Sequence, residues 1–355
     1  MNKRRKHKVA KRCFRIGAAV FLLVLIVFGI TLVFTSLRND GGSSSEKSAI
    51  TLAASEKQTE VTTENETETL TRESAASFVV YPERTNESVE FSEEYDAKSA
   101  VLISCGDDRI VACRSENERI YPASLAKVMT LIVAVENTDD LSAAVTITDD
   151  MVVPMIELEA SRAGFEPGDT FALEDVLYGM ILESGADAAL AAAVHTAGSE
   201  EAFVELMNRK AKELGLKGTH FTNVVGLHHE ENYSTASDMA VILEYATGNE
   251  ICRRILECYE YKTAPTAQHP EGLKFTSTLF SRMYGDEMPD VKIIGGKTGY
   301  TDEAGNCIES YAEVNGNTYI LVLCGGKTNW NNIYNTLSAY SVYCAGGKPY
   351  EPPRS

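Results

Sequence analysis

The first long apolar segment is the uncharged stretch at residues 16–37, which follows a dense run of lysines and arginines in residues 1–15. A helix of about 20 apolar residues crosses the hydrocarbon core of a bilayer. A cleaved signal peptide would have a shorter apolar region of about 7–15 residues, followed by a small-x-small site. We therefore interpret residues 16–37 as a retained transmembrane anchor. The basic residues before it and Asp40 after it predict a single-pass protein of the cell membrane, with a cytoplasmic N-terminus and the remainder outside.

Residues 38–92 show no sustained apolar period and are rich in Ser, Thr and Glu. Such a composition buries too little apolar surface to offset the loss of chain entropy. It predicts a disordered acidic tether. The folded domain is then expected at residues 93–348, with a short tail at 349–355.

The expected domain opens with a hairpin pattern and a buried helix. Two apolar runs, 100–103 and 110–112, flank the turn residues Gly106-Asp107-Asp108. Pro122 and Ser124 then supply helix start signals, and a broad apolar face follows in residues 125–135. The pattern predicts that this helix is central and buried.

The middle of the chain has helical periodicity, and strand signals return only near its end. Predicted helices lie at 173–182, 188–195, 201–214, 236–246 and 329–343. Predicted strands lie at 291–294, 307–314 and 318–323, and Asn315-Gly316 joins the last two as a hairpin turn. Strands at both ends with helices between them predict an α+β fold. It consists of one five-stranded antiparallel sheet flanked by terminal helices, with a mostly helical subdomain inserted and a cleft between the two.

The charge of the chain limits its partners. Lys and Arg number 33 against 51 Asp and Glu, which gives a formal net charge of -18. Nucleic acid is bound by clustered basic side chains, so a nucleic-acid partner is not expected.

Ser124-Leu-Ala-Lys127 places a hydroxyl and an amine on one face of a helix start. A serine is a weak nucleophile near neutral pH, and an adjacent neutral amine can accept its proton. The positive end of the helix also favours the developing alkoxide. Ser44 and Lys47 have the same spacing, but they lie in the predicted tether, where nothing holds the amine against the hydroxyl.

Two further motifs contain polar side chains suited to a site. Lys297-Thr298-Gly299 follows a predicted strand and the pair Gly295-Gly296, where missing side chains let an extended peptide approach the sheet edge. Lys297 and Thr298 would then bind a carboxylate; the structural alternative is a β-turn with a surface lysine. Ser184-Gly185 lies between two predicted helices and, taken alone, is typical of a loop.

Together and in this order, these elements match the motif set of class A β-lactamases and penicillin-binding proteins. The fuller pattern from about Glu93 to Cys344 resembles the low-molecular-mass penicillin-binding proteins, the serine-type D-Ala-D-Ala carboxypeptidases of family S11, which have the β-lactamase/transpeptidase-like fold. The segments that carry the resemblance are Tyr121-Pro-Ala-Ser124-Leu-Ala-Lys127-Val-Met-Thr130, His220-Phe-Thr-Asn223 with Gly226-Leu227-His228, Tyr233-Ser-Thr-Ala-Ser-Asp238-Met, and Gly296-Lys-Thr-Gly-Tyr-Thr301 with Ala304-Gly305.

The resemblance implies a peptidoglycan stem peptide ending in D-Ala-D-Ala as substrate, β-lactams as covalent inhibitors, and no cofactor. It assigns Ser124 as the acylated nucleophile and Lys127 as the base, while Ser184 relays protons. Lys297, Thr298 and Gly299 would bind the substrate, and the backbone N–H groups of Ser124 and Tyr300 would form the oxyanion hole. One position departs from the family: Ala186 stands where the second motif usually ends in Asn.

Two alternative functions are open, and the first of them shares both the predicted fold and the nucleophile. A class A β-lactamase needs a Glu-x-x-Leu-Asn element to activate the deacylating water, and Glu205-Leu-Met-Asn208 has the wrong spacing. A non-catalytic β-lactam sensor or wall-binding module is favoured by Ala186 and by the predicted anchor. Against the sensor, the short basic N-terminus has no room for an effector domain.

Histidines and cysteines raise two further questions. Zinc is suggested by the cluster His220, His228, His229, Glu230 and Glu231. Their spacing matches neither His-Glu-x-x-His nor a closed structural site, so no metal is expected.

Counting back from the Asn315-Gly316 turn places Cys307 opposite Cys324 in a non-hydrogen-bonded pair. That register predicts either a disulfide or a packed thiol pair.

Overall fold

A computed structural model describes residues 80–283 and 288–352 of the chain. The predicted anchor at 16–37, the basic segment at 1–15 and most of the predicted tether lie outside these residues. Within them, no helix combines the length and the apolar character needed to cross a membrane.

The described part of the chain consists of ten strands and nine α-helices in a mixed order. The strands are β1 Glu83–Glu90, β2 Ser99–Ser104, β3 Arg109–Arg114, β4 Ala144–Thr146, β5 Thr170–Ala172, β6 Glu260–Lys262, β7 Lys274–Thr276, β8 Val291–Thr301, β9 Gly305–Val314 and β10 Asn317–Gly326. The helices are α1 Ala126–Glu136, α2 Asp149–Glu157, α3 Leu173–Leu182, α4 Ala186–Ala197, α5 Glu200–Glu213, α6 Ala236–Gly248, α7 Glu250–Leu256, α8 Phe280–Met283 and α9 Asn329–Ala339. A 3₁₀ turn, Ala123–Leu125, precedes α1, and a π-helical segment, Tyr340–Ala345, follows α9.

The main sheet has the strand order β1-β3-β2-β10-β9-β8. All its neighbouring strands pair antiparallel except β1 and β3, which are parallel. The five predicted antiparallel strands are therefore present, and the predicted fold class is confirmed. Two small two-stranded sheets, β4-β5 and β6-β7, accompany the helices.

Strand β1 corrects the predicted start of the domain at Glu93. It lies inside the predicted tether, yet it pairs with β3 in the sheet. Its side chains are mostly exposed, so the apolar pattern of the sequence gives no sign of it. Polar contacts to the domain accompany the backbone pairing: Arg84 bonds both carboxyl oxygens of Glu116 at 2.8 and 2.7 Å, and the Tyr81 hydroxyl donates to Asp238 at 2.9 Å.

The two faces of the sheet belong to different apolar cores. Along β10, Ile320 and Val322 pack with the helices of the inserted region, whereas Leu321 and Leu323 pack with α9 and the π-helical segment. This alternation follows from the two-residue period of a strand. The sheet is thus the middle layer between α9 and the helical region, as the arrangement of predicted elements indicates.

The β9–β10 hairpin confirms the predicted turn and decides the question about its cysteines. Asn315 and Gly316 have φ values of 52° and 77°, the left-handed values of a type I′ turn. Pairing runs from Asn317↔Val314 to Leu323↔Ile308 and then shifts register before Gly326↔Asn306, so the register at the two cysteines is not the regular one that the count predicts. Cys307 and Cys324 are free thiols. A hydrogen bond between their sulfurs lowers the pKa of Cys307, which corresponds to the packed pair.

Candidate active site

Ser124 is held at the N-terminus of α1 by close backbone packing. It is the middle residue of the 3₁₀ turn, and Ala123 before it has a left-handed φ of 48°. Gly226 lies so close that an added Cβ would come within 1.8 Å of the Ala123 carbonyl oxygen. An added Cβ at Gly299 would lie 2.9 Å from the Ser124 nitrogen. Both glycines therefore allow their backbones to approach the turn that carries the hydroxyl.

Lys127 lies beside this hydroxyl and is sealed from solvent. Its Nζ atom is 3.0 Å from Oγ of Ser124 and donates to the carbonyl of Val225 at 2.6 Å. The side chain is 2% exposed. Burial lowers the pKa of Lys127 to about 7, although the nearby carboxylate of Asp187 opposes the shift. A substantial fraction of the amine is therefore neutral near pH 7.

Strand β8 forms the opposite wall of the cleft. Thr298, Gly299 and Tyr300 line it, and Tyr300 is exposed, with its hydroxyl donating to Asp302 at 2.8 Å. Lys297 is 1% exposed and donates to the carbonyl of Thr298 at 2.8 Å. Burial and the positive charge of Lys127 lower its pKa. The Lys-Thr-Gly motif thus lies within a strand, and the alternative of a β-turn with a surface lysine is wrong.

Arg282 on α8 adds a cation that the sequence patterns did not indicate. It lines the cleft, and its Nη1 donates to Oγ1 of Thr298 at 3.2 Å. The Thr298 hydroxyl also lies 2.8 Å from that of Thr278. Burial lowers the pKa of Arg282, but a guanidinium keeps its charge in proteins. The wall formed by β8 therefore includes a permanent positive charge.

The third wall is formed where α3 gives way to α4. Ser184 lies between the two helices with a left-handed φ of 59°, and both Ser184 and Ala186 line the cleft. Non-glycine residues rarely adopt this conformation, and such strain clusters at functional sites. The side chain of Ala186 provides no hydrogen-bonding group there.

Asp187 fixes this third wall to its neighbouring loop and was not among the predicted site residues. Its carboxylate accepts bonds from the backbone N–H groups of Ala163, Gly164 and Phe165 at 2.8, 3.1 and 3.3 Å. The Ala186 N–H also donates to the carbonyl of Ser161 at 2.8 Å. These bonds hold the loop that faces Ser124 across the cleft.

The residues predicted from the motifs therefore meet around one cleft of 570 Å³. Ser124, Lys127, Ser184, Thr298, Gly299 and Tyr300 line it, and Lys297 is buried close to Lys127. A larger cavity of 690 Å³ lies along β8 nearer its N-terminal end, with Tyr259, Met283 and Ile293 among its lining residues, and it contains none of these side chains. The side chains predicted from the motifs thus lie at the smaller cleft and not at the larger cavity.

The family model for D-alanyl-D-alanine carboxypeptidases, peptidase S11, matches residues 84–328. The chain belongs to the D-alanyl-D-alanine carboxypeptidase family. The match begins within β1, in agreement with the corrected start of the domain.

Curated members of the family align with about two thirds of the chain. The D-alanyl-D-alanine carboxypeptidase DacF of Bacillus subtilis is 35% identical over 238 residues, which are 66% of this chain and 58% of the Bacillus protein. DacA of Escherichia coli is 32% identical over 248 residues, 66% of this chain and 57% of that protein. The alignment thus spans less than two thirds of the length of these relatives.

Solved structures of the family share the fold. The DD-transpeptidase of Streptomyces K15 superposes with a TM-score of 0.62 at 27% identity, covering 68% of this chain and 94% of that chain. The D-alanyl-D-alanine carboxypeptidase of Mycobacterium tuberculosis H37Rv gives a TM-score of 0.59 at 27% identity, covering 68% and 89%.

The residues behind the zinc and β-lactamase alternatives make other contacts. Across residues 80–283 and 288–352, no group of three or more His, Cys, Asp and Glu side chains is arranged to hold a metal ion. His228 packs edge-on against Tyr121, and His220 Nδ1 lies 2.6 Å from the carbonyl of Glu231. Asn208 lies on α5 and donates to the carbonyl of Phe221 at 2.8 Å, which is a structural contact.

Proposed function

We propose that this protein is a serine-type D-alanyl-D-alanine carboxypeptidase that removes the terminal D-Ala from peptidoglycan stem peptides. The observation that carries the proposal is the 3.0 Å contact between the Ser124 hydroxyl and the buried Lys127 amine, in a cleft whose opposite wall is formed by Thr298 and Gly299. β-Lactams are then expected to acylate Ser124 as covalent inhibitors.

Lys127 supplies the base for the first chemical step. The Ser124 oxygen attacks the carbonyl carbon of the bond between the two D-alanines, and its proton moves to the neutral amine. The lowered pKa of Lys127 supports this role, because a base is most effective when its pKa lies near the working pH. The terminal D-alanine leaves with a proton delivered through Ser184, and water then hydrolyses the ester on Ser124.

Binding of the terminal carboxylate is assigned to the β8 wall. Thr298 offers a hydroxyl, and Lys297 and Arg282 offer positive charge close to it. β8 is an edge strand, so an extended peptide can align along it and place its carboxylate there.

The oxyanion hole is assigned to the backbone N–H groups of Ser124 and Tyr300. The close approach of Gly299 to the Ser124 nitrogen supports this assignment, since it brings the β8 backbone next to the reacting hydroxyl. A single donor of an oxyanion hole typically contributes about 2.7–4 kcal/mol to transition-state stabilisation.

A labelled β-lactam provides the direct test. The wild-type protein is expected to form a covalent adduct and to release D-alanine from a pentapeptide ending in D-Ala-D-Ala, whereas Ser124→Ala does neither. Labelling without D-alanine release would support a β-lactam sensor, and rapid turnover of the β-lactam would support a β-lactamase. Labelling that persists in Ser124→Ala would overturn the assignment of the nucleophile.

We further propose that residues 16–37 anchor the protein in the cell membrane with the catalytic domain outside. The uncharged stretch after a basic segment supports this location. In cell fractionation the full chain is expected in the membrane fraction and to be extracted by detergent but not by alkaline carbonate. Release by carbonate alone would contradict the anchor.

A further inference from the structure

A second charged residue is buried beside Lys297, and the mechanism above does not use it. Glu309 on β9 stands directly opposite Lys297 on β8 in the antiparallel ladder. Directly paired residues project from the same face of a sheet, with Cβ atoms about 4.5–5.5 Å apart. The two side chains are 0% and 1% exposed, respectively. They therefore share one interior space.

Among the described residues, Lys297 is the cation that acts on the Glu309 carboxyl. The row across the sheet at this level runs Lys297, Glu309, Val322 and Val101, so its neighbour on β10 is apolar. Along β9 the residues on the same face are Cys307 and Tyr311. Among the described residues, neither carboxyl oxygen of Glu309 has a hydrogen-bond partner. Lys297 is the cation that favours the ionised form of this carboxyl.

Lys297 in turn experiences opposing charges from several elements. Lys127 on α1 and Arg282 on α8 disfavour its protonated form, whereas Glu309 on β9 and Glu183 after α3 favour it. Of the two carboxylates, Glu309 has the larger effect. Burial raises the pKa of Glu309, the Lys297 amine opposes that shift, and Cys307 adds to it. The Lys297 amine and the Glu309 carboxyl therefore each favour the charged form of the other.

We propose that Glu309 is a positioning residue that acts through Lys297: its carboxylate supplies the counter-charge that keeps this buried amine protonated while no ligand carboxylate is bound. A ligand carboxylate then binds next to a Lys297 amine that is already protonated. This inference rests on the proposed function, because it assigns Lys297 to carboxylate binding.

The inference predicts a selective change in the pH profile. A negative neighbour favours the charged amine, so Glu309→Gln lowers the pH at which Lys297 loses its proton. The rate of acylation by a carboxylate-bearing β-lactam is expected to fall at high pH, where Lys297 loses its proton. In Glu309→Gln this descending limb of the pH profile is expected to lie about one pH unit or more lower than in the wild type. Well above that limb, acylation is about tenfold slower than in the wild type. The ascending limb, set by Lys127, stays in place because Lys127 responds to Asp187 and not to Glu309.

The experiment measures acylation of the full chain by a β-lactam acid and by its methyl ester between pH 5 and pH 10. The ester has no carboxylate for Lys297, so Glu309→Gln is expected to leave its acylation unchanged. Glu309→Asp retains the charge and should restore the descending limb in part. Glu313→Gln is the matched control, because Glu313 opposes Lys292 in the same two strands but both are exposed. It is expected to give the wild-type profile.

Three outcomes would count against the inference. If the descending limb of Glu309→Gln coincides with that of the wild type, the carboxylate has no influence on Lys297. If acid and ester are slowed equally, Glu309 acts only on folding or packing. If the wild type shows no Ser124-dependent acylation by either compound, the proposed function itself fails, and this result is distinct from the other two.

Discussion

The protonation state of Lys127 controls the proposed reaction at the scale of single residues. Burial lowers the pKa of Lys127 to about 7, and only the neutral amine can accept the proton of Ser124. The neutral fraction is then about one tenth at pH 6 and about nine tenths at pH 8. Acylation by a β-lactam ester is therefore expected to rise with pH, with a midpoint near 7. Stopped-flow measurements between pH 5 and pH 9 test this prediction.

A midpoint above pH 9 would mean that the amine keeps its proton and does not act as the base. Lys127→Arg is the matched control. A guanidinium retains its charge and cannot accept a proton at these pH values. This variant is expected to lose acylation across the whole range.

Arg282 gives a second prediction at this scale. Its guanidinium contacts Thr298, so it is placed to bind a ligand carboxylate. Hydrogen bonds to charged groups contribute about 1.5–3 kcal/mol, which corresponds to about a tenfold change in affinity or more. Arg282→Gln is expected to raise KM for the pentapeptide by about this factor, with a smaller effect on kcat.

Arg254→Gln serves as the control for Arg282. Arg254 pairs with Glu174 on the surface away from the cleft, and its side chain is half exposed. Exposed ion pairs contribute little, so the kinetic constants should stay at wild-type values. A KM unchanged in Arg282→Gln would remove Arg282 from the binding wall.

The site could be predicted from sequence only where its residues are close together in a motif. Ser124 and Lys127 are three positions apart, and Lys297 and Thr298 are adjacent. The neighbourhood of Glu309 depends on the register of β8 and β9, whose connecting turn has no recognisable signature. Arg282 lies 15 positions before Lys297 and reaches Thr298 only after folding.

At the scale of elements, Gly226 packs against the turn that carries Ser124. It combines a φ of +82° with contact to the Ala123 carbonyl. Gly226→Ala therefore adds both backbone strain, of about 1 kcal/mol, and a clash with backbone that cannot move freely. It is expected to lower the free energy of unfolding by well over 1 kcal/mol and to reduce acylation by displacing Ser124. Urea denaturation and β-lactam labelling measure the two effects.

Gly198 is a close control for this change. It has the same φ of +82° at the C-terminus of α4, but an added Cβ would meet nothing within 4 Å. Gly198→Ala should show only the strain, with acylation unchanged. Equal effects of the two substitutions on acylation would show that contact with Ala123 is unimportant.

Periodicity predicted the long elements well and the polar or interrupted ones poorly. The predicted helix at 173–182 coincides with α3, because its apolar residues recur regularly. Helix α2 contains Pro154, which weakens its helical signal. Strand β1 has the exposed sequence ERTNESVE and is recognised only through its contacts. Elements held by pairing rather than by apolar burial are thus the ones that sequence patterns miss.

For the whole molecule, the attachment of β1 gives a test of stability. Arg84 forms two hydrogen bonds with Glu116, whose side chain is 6% exposed. Arg84→Gln leaves that carboxylate without its cation. Because the Arg84 side chain is itself half exposed, the expected loss is modest, about 1–2 kcal/mol in the free energy of unfolding at pH 7.

The loss of unfolding free energy in Arg84→Gln should also depend on pH. The hydrogen bonds from Arg84 lower the pKa of Glu116, so their stabilisation is present above the ordinary pKa of Glu and disappears as the pH falls through the lowered value. The difference between wild type and Arg84→Gln is therefore expected to narrow in acid. Arg109→Gln is the control, since Arg109 pairs with the exposed Glu87 and Asp107. It should change stability by less than about 0.5 kcal/mol.

The central position of β10 in the sheet affects the order in which the sheet can form during synthesis. β10 is the last strand in the described part of the chain, yet it lies between β2 and β9 in the sheet and separates the N-terminal strands from β8. A ribosome that has just completed the Asn315-Gly316 turn has already synthesised both Ser124 and Lys297, but not the strand that connects their halves. The six-stranded sheet therefore cannot be completed until residues 317–326 have been synthesised.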